Sequence, residues 1–113
     1  MSDAEAPAPP AGLAPAERLA WHAARGEVAY TVDAGGVPVW PPQVGLDWRL
    51  SAGRGRIYTM TVMRPRGGEP RNLALIDLDE GLRIMSRVEG GPAAIGDAVS
   101  ARFDDGVLVF VPA

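Results

Sequence analysis

The sequence predicts a small all-β barrel or sandwich preceded by one short helix. Three observations carry this. Strand-like runs recur along the chain, among them Ile57-Tyr58-Thr59-Met60-Thr61-Val62 and Val107-Leu108-Val109-Phe110-Val111. Short stretches rich in Gly, Pro and Asp separate them. A Gly-rich joint, Ala52-Gly53-Arg54-Gly55-Arg56, interrupts the longest run and permits a bulge or sharp bend.

Each element has its own local cause. Residues 1–15 are rich in Ala and Pro (Pro7, Pro9, Pro10, Pro15), bury little, and read as a disordered tail. A short helix occupies 16–26, with Pro15 suited to its first turn and Gly26 to its end. Leu19 and Trp21 do not form a long stripe, so this helix needs a packing partner. Residues 27–45 hold strand-like Glu27–Val32, a Gly35-Gly36 turn, and Val37–Trp40 running into Pro41-Pro42. From Leu46 the alternation is clean, with Leu46, Trp48 and Leu50 on one face. Together with Ile57–Met63 it predicts a long bent first strand. Leu73–Leu78, Leu82–Val88, Ala98–Phe103 and Val107–Val111 follow, the last two as a hairpin closed at Gly106. Five strands with a bent first one suit an OB-type barrel over 46–113.

Composition excludes several function classes. The chain has 113 residues, enough for one domain that folds without staples. It has no cysteine, so disulfides, thiolate metal sites and thiol catalysis are impossible. The net charge is −3, which argues against a nucleic-acid partner. No apolar run approaches the roughly 20 residues of a membrane span. The N-terminus lacks a basic start and apolar core, so the expected location is cytoplasmic. All eleven strong bases are arginine; six lie between Arg49 and Arg71, where Glu69 is the one acid. No catalytic constellation stands out. His22 reads as a helix-surface residue, and Ser51, Ser86 and Ser100 lie in no nucleophile motif. Asp77, Asp79 and Glu80 lack calcium-loop spacing and read as a turn. No metal or cofactor is expected.

The ordered set of segments resembles the zinc-ribbon OB-fold family known as domain of unknown function 35. The carrying residues are Glu17–Glu27, Trp40-Pro41-Pro42, Ala52–Gly55, Ile57–Val62, Leu75–Gly81, Ile95–Val99, Phe103–Gly106 and Phe110–Ala113, spanning about 17–113. The resemblance implies a short N-terminal helix, a rubredoxin-like zinc ribbon and an OB barrel. It further implies a non-catalytic accessory or scaffold subunit that docks on a thiolase or related acyl-CoA enzyme and sometimes touches CoA. One departure is large. The family ribbon holds zinc with two Cys-x-x-Cys pairs. The first pair would fall at Val32 and Gly35, and the second in a segment missing after Gln43. Residues 27–45 therefore read as a degenerate, metal-free ribbon, with Tyr30, Val32, Val37 and Val39 as an apolar substitute.

The resemblance gives the arginines and aromatics candidate roles. Arg54, flanked by glycines, with Arg56 and Arg49, is a candidate for a CoA phosphate. The same glycines also suit a bent strand, and both readings stand. Trp40, Pro41 and Pro42, with Arg64 and Arg66 of the 64–71 loop, are candidates for docking the partner. Trp40 packed on the helix is the competing reading. Trp48 reads as a barrel filler. The other function class is an OB-fold module for single-stranded nucleic acid, with Tyr58 and the arginine-rich stretch as its groove.

Overall fold

The structure, a computed structural model, describes residues 8–113; the first seven residues of the expected tail lie outside the described residues. It contains helix α1 (Pro15–Ala24) and eight strands: β1 (Ala29–Val32), β2 (Pro38–Val39), β3 (Asp47–Leu50), β4 (Arg54–Met63), β5 (Arg71–Leu78), β6 (Arg83–Ser86), β7 (Ala98–Asp104) and β8 (Val107–Pro112). Pro15 occupies the first turn of α1, and the Glu17 carboxylate reaches back to accept the Ala14 N–H at 2.8 Å. Gly26, at φ +76°, ends it by donating to Ala23 O.

Two antiparallel sheets follow. A small one has the order β2-β1-β3, and a larger one the order β6-β5-β4-β7-β8. The larger sheet is OB-like and not a closed barrel. Its edges meet at one parallel bridge, Val88 with Phe110, where the Phe110 N–H donates to Arg87 O and the Glu89 N–H to Phe110 O. Asn72 fixes that seam, with its amide accepting the Val88 N–H and donating to Val88 O, both at 2.8 Å.

The long bent strand expected over 46–63 is two strands in two sheets. Asp47–Leu50 pairs with β1, Thr31 opposite Trp48, while Arg54–Met63 pairs with β5 and β7. The break falls at Ser51-Ala52-Gly53, where Gly53 takes φ +75°. Period-two alternation shows which side chains share a face but not which strand they pair with, so one pattern served both sheets.

One core joins the sheets. Val28, Tyr30 and Val32 pack in the same cluster as Ile57, Ile76, Leu78, Ile84 and Phe110. All four residues of β1 are buried, and Thr31 satisfies its hydroxyl by donating to Val39 O at 2.9 Å. Truncating Phe110 or Ile76 to alanine, both fully buried, is expected to cost about 3–5 and about 2–5 kcal/mol respectively. Of the apolar residues expected to stand in for a ribbon, Tyr30 and Val32 pack in the core. Val37 is the exception: it is exposed at the hairpin tip and contributes nothing to the core.

Candidate functional site

The Gly53-Arg54-Gly55 joint is shaped first by packing. A Cβ on Gly55 would sit 2.2 Å from Asp77 O and 3.0 Å from Leu78 Cα, because β4 and β5 cross closely there. A Cβ on Gly53 would meet the Ala101 Cβ at 2.9 Å. Arg54 itself is exposed, and its carbonyl accepts the Asp79 N–H at 2.9 Å. Arg54 and Arg56, two residues apart on β4, line one shallow cleft of about 190 Å3 with Asp79, Ser100 and Ala113. Arg56 donates to Gly96 O at 3.1 Å. Arg49 lies elsewhere, half-buried on β3 opposite Tyr30, and is not among the residues lining that cleft. Two of the three phosphate candidates thus share a surface, and an acid shares it with them.

The joint is tied down by Glu80. Its carboxylate accepts the Ser51 hydroxyl at 2.7 Å and the Ala52 N–H at 2.8 Å, and Ser51 Oγ in turn accepts the Gly53 N–H at 2.9 Å. Glu80 read as a turn acid in the sequence. Its partners lie 28 and 29 residues away, and no local pattern announces them.

The docking candidates are placed apart. Trp40 is half-buried and packs against the core cluster. With Leu19, Ala20 and Ala23 of α1 it lines an apolar groove. Pro41 is exposed and Pro42 half-buried beside it. Arg64 and Arg66 are exposed in the β4–β5 loop and do not line that groove.

His22 overturns the reading of a helix-surface histidine: it is fully buried. Its ring lies edge-on to Trp21 and tilted at 5.7 Å from Trp48. Nε2 accepts from Arg18 Nε at 3.2 Å, which leaves the ring proton on Nδ1, donated to Glu27 at 2.9 Å. Arg18 also lies over the Trp48 ring. Trp48 is accordingly a half-buried residue of the small sheet and not a barrel filler. Burial pushes the Glu27 carboxyl up, but hydrogen bonds from His22 and Arg25 outweigh it and hold the group below its ordinary value.

On the larger sheet Tyr58 is the extra residue of a bulge between Ile57 and Thr59. The Arg83 guanidinium lies 3.4 Å from its ring centroid and binds Asp77 through two hydrogen bonds, 2.6 and 3.1 Å. One face of Tyr58 is therefore covered, and the covering cation is already neutralised. That is a poor stacking platform for a base. The Arg83 bonds hold Asp77 below the usual carboxylate value.

Among the described residues no group of three or more His, Asp or Glu could hold a metal ion. The turn where a first cysteine pair would fall is organised by a carboxylate. Asp33 Oδ1 accepts the N–H groups of Gly35 and Val37 at 2.9 and 3.0 Å. No helix among the described residues is long and apolar enough to cross a membrane.

The family model of the ChsH2 C-terminal OB-fold domain matches residues 48–104, half of the chain. The chain belongs to that family. It is a DUF35-type OB-fold protein. Its fold is similar to that of a solved structure described as an Ltp2–ChsH2 (DUF35) aldolase, with a TM-score of 0.72 and 22% identity, covering 92% of this chain and 98% of the other. A search of curated proteins gives no match.

Proposed function

We propose that the chain is a non-catalytic, cytoplasmic accessory subunit that docks on a thiolase-like acyl-CoA enzyme. The observation that carries this is membership of the ChsH2 C-terminal OB-fold family, together with likeness to a chain whose structure is described as an Ltp2–ChsH2 (DUF35) aldolase. A non-catalytic role is supported by the state of the candidate catalytic groups. His22 is sealed from solvent and engaged at both ring nitrogens. The Ser51 hydroxyl is committed to Glu80 and the Ser86 hydroxyl to Leu108 O. Ser86 donates to a backbone carbonyl and not to a base, and the carboxylate that accepts from Ser51, Glu80, also holds the Ala52 N–H as a tie across the fold.

In this reading residues 46–113 form the docking OB domain, and 27–45 are what remains of the ribbon. Trp40, Pro41, Pro42, Arg64 and Arg66 contact the enzyme, and Arg54 and Arg56 meet a CoA phosphate, with Arg49 outside their cleft. Incubation of the purified chain with acyl-CoA thioesters, followed by product analysis, tests the absence of catalysis. No turnover is expected. Hydrolysis or carbon–carbon cleavage above the rate in buffer contradicts it.

A further inference from the structure

Strand β4 is paired over different lengths on its two sides. On one side β5 pairs with it from Gly55 to Met63. On the other, β7 pairs with it only from Arg54 to Arg56. Ile57 extends that second side by one step: its N–H donates to Asp97 O at 3.1 Å, and its carbonyl accepts the Gly96 N–H at 2.8 Å. Past Ile57, among the described residues, no backbone hydrogen bond reaches this edge. β6 leaves β5 at Ala74, so residues 61–63 and 71–73 project as a two-stranded arm. Alternate residues over 58–63 therefore turn unpaired N–H and C=O groups to solvent.

Open sheet edges are templates for association, and proteins blunt them with proline, charge or a covering element. The smaller sheet carries such guards. β2 is two residues long and begins with Pro38, and β3 holds Asp47 and Arg49. The free edge of β4 has neither proline nor charge over 58–63. Thr61, Val62 and Met63 are exposed there, as are Leu73 on the neighbouring strand and Ile95 in the turn beside Ile57.

This segment complements itself. Laid antiparallel across a twofold axis at Thr61, it sets Met60 opposite Val62, Thr59 opposite Met63 and Tyr58 opposite Arg64. No like charges face each other over that span. Because the free edge stops at the 95–97 turn, the Arg64 end of one copy arrives at that turn in the other. Asp97 lies there, exposed, and its carboxylate accepts only the Ala94 N–H among the described residues. Arg64 is likewise exposed, with no ion pair among the described residues. The charge match occurs twice, once at each end of the ladder.

We propose that two copies of this chain associate by antiparallel pairing of β4 with β4 about Thr61, which continues the larger sheet from one copy into the next. The paired stretch, 58–64, spans about 24 Å. That is less than a standard interface, so the dimer is reversible, with a Kd on the order of 10–100 μM. The proposal does not rest on enzyme docking. Arg64 serves both, so self-pairing and docking compete for it.

The test is sedimentation equilibrium of the full purified chain from about 5 μM to about 1 mM, a span that brackets this Kd. A reversible monomer–dimer equilibrium is expected. Thr61→Lys puts two ammonium groups opposite each other at the axis and is expected to weaken association about tenfold or more. Thr61 is exposed, so the variant should melt within about 2 °C of the parent at concentrations where both are monomers. Thr61→Glu is expected to behave in the same way. An equal mixture of the two variants sets ammonium against carboxylate, and should recover association to within about threefold of the parent. Asp97→Asn keeps an acceptor for the Ala94 N–H and is expected to weaken association several-fold. A chain monomeric throughout, Thr61→Lys or Asp97→Asn associating like the parent, or a mixture no better than its components overturns the proposal. A monomeric parent whose capture of the enzyme is lost in Thr61→Lys gives the edge to the enzyme and overturns it too. The sedimentation measurements contain no enzyme, so failure of docking leaves them unchanged.

Discussion

The sharpest consequence of the fold concerns Gly55, because it separates a packing glycine from a phosphate cradle. In Gly55→Ala the new Cβ lands 2.2 Å from Asp77 O, 3.0 Å from the Asp77 carbonyl carbon and 3.0 Å from Leu78 Cα. All three are backbone atoms of a paired strand, so none can swing away as a side-chain tip would. Relief requires β4 and β5 to part locally by about 1 Å, forfeiting contacts that decay steeply with distance. Overpacking of this kind costs about 2–3 kcal/mol. With an unfolding entropy of roughly 2 cal/mol/K per residue, a chain of 113 residues loses about 0.24 kcal/mol of stability per degree near Tm. The variant should therefore melt about 10 °C below the parent. Thermal unfolding followed by circular dichroism measures this, with Arg54→Ala, a truncation of an exposed side chain, expected within about 2 °C of the parent. A Gly55→Ala protein that melts with the parent would refute the packing argument.

Three further expectations follow from the same geometry. Glu80→Ala removes the acceptor of the Ser51 hydroxyl and the Ala52 N–H and should cost about 1–2 kcal/mol in denaturant unfolding; an unchanged midpoint would show the joint holds itself. Folding lowers the carboxyl pKa of Glu27 and Asp77 from ordinary values of 4.5 and 3.8, so their stabilisation is complete above those values and is lost as pH falls through the lower folded ones. Tm should then be flat near neutrality and fall below about pH 5, and Glu27→Gln should make that fall shallower; an equal fall in both proteins would contradict the assignment. The purified chain should carry no stoichiometric zinc, since it has no thiolates; one zinc per chain by elemental analysis would contradict the metal-free ribbon.

What was legible in the sequence was what local chemistry encodes. Pro15 and Gly26 bracket the helix, and the alternation of Leu73–Leu78 marks β5 with Ala74, Ile76 and Leu78 inward. Gly106, at φ +76°, closes the last hairpin where the Asp105-Gly106 pair predicts a turn. What was not legible depends on partners far along the chain. Trp48 alternates as any strand residue does, and only its pairing with Thr31 puts it in the small sheet. His22 looks solvated until Glu27, Arg18 and Trp48 close around it. Asn72 and Glu80 sit in unremarkable loops and strand ends, yet each bonds backbone groups across the fold. For the site, the sequence grouped Arg49, Arg54 and Arg56, and the structure brings only Arg54 and Arg56 to one cleft. The break at Ser51–Gly53 carries Arg49 into the other sheet.

The central claim, docking on a thiolase-like acyl-CoA enzyme, is tested most directly by affinity purification of the tagged chain from its native host, with mass spectrometry of the co-eluting proteins. The account predicts a thiolase-type enzyme in near-stoichiometric amount, reduced when Trp40→Ala replaces the parent chain. A chain that elutes alone, or an enzyme of an unrelated class in its place, would contradict it.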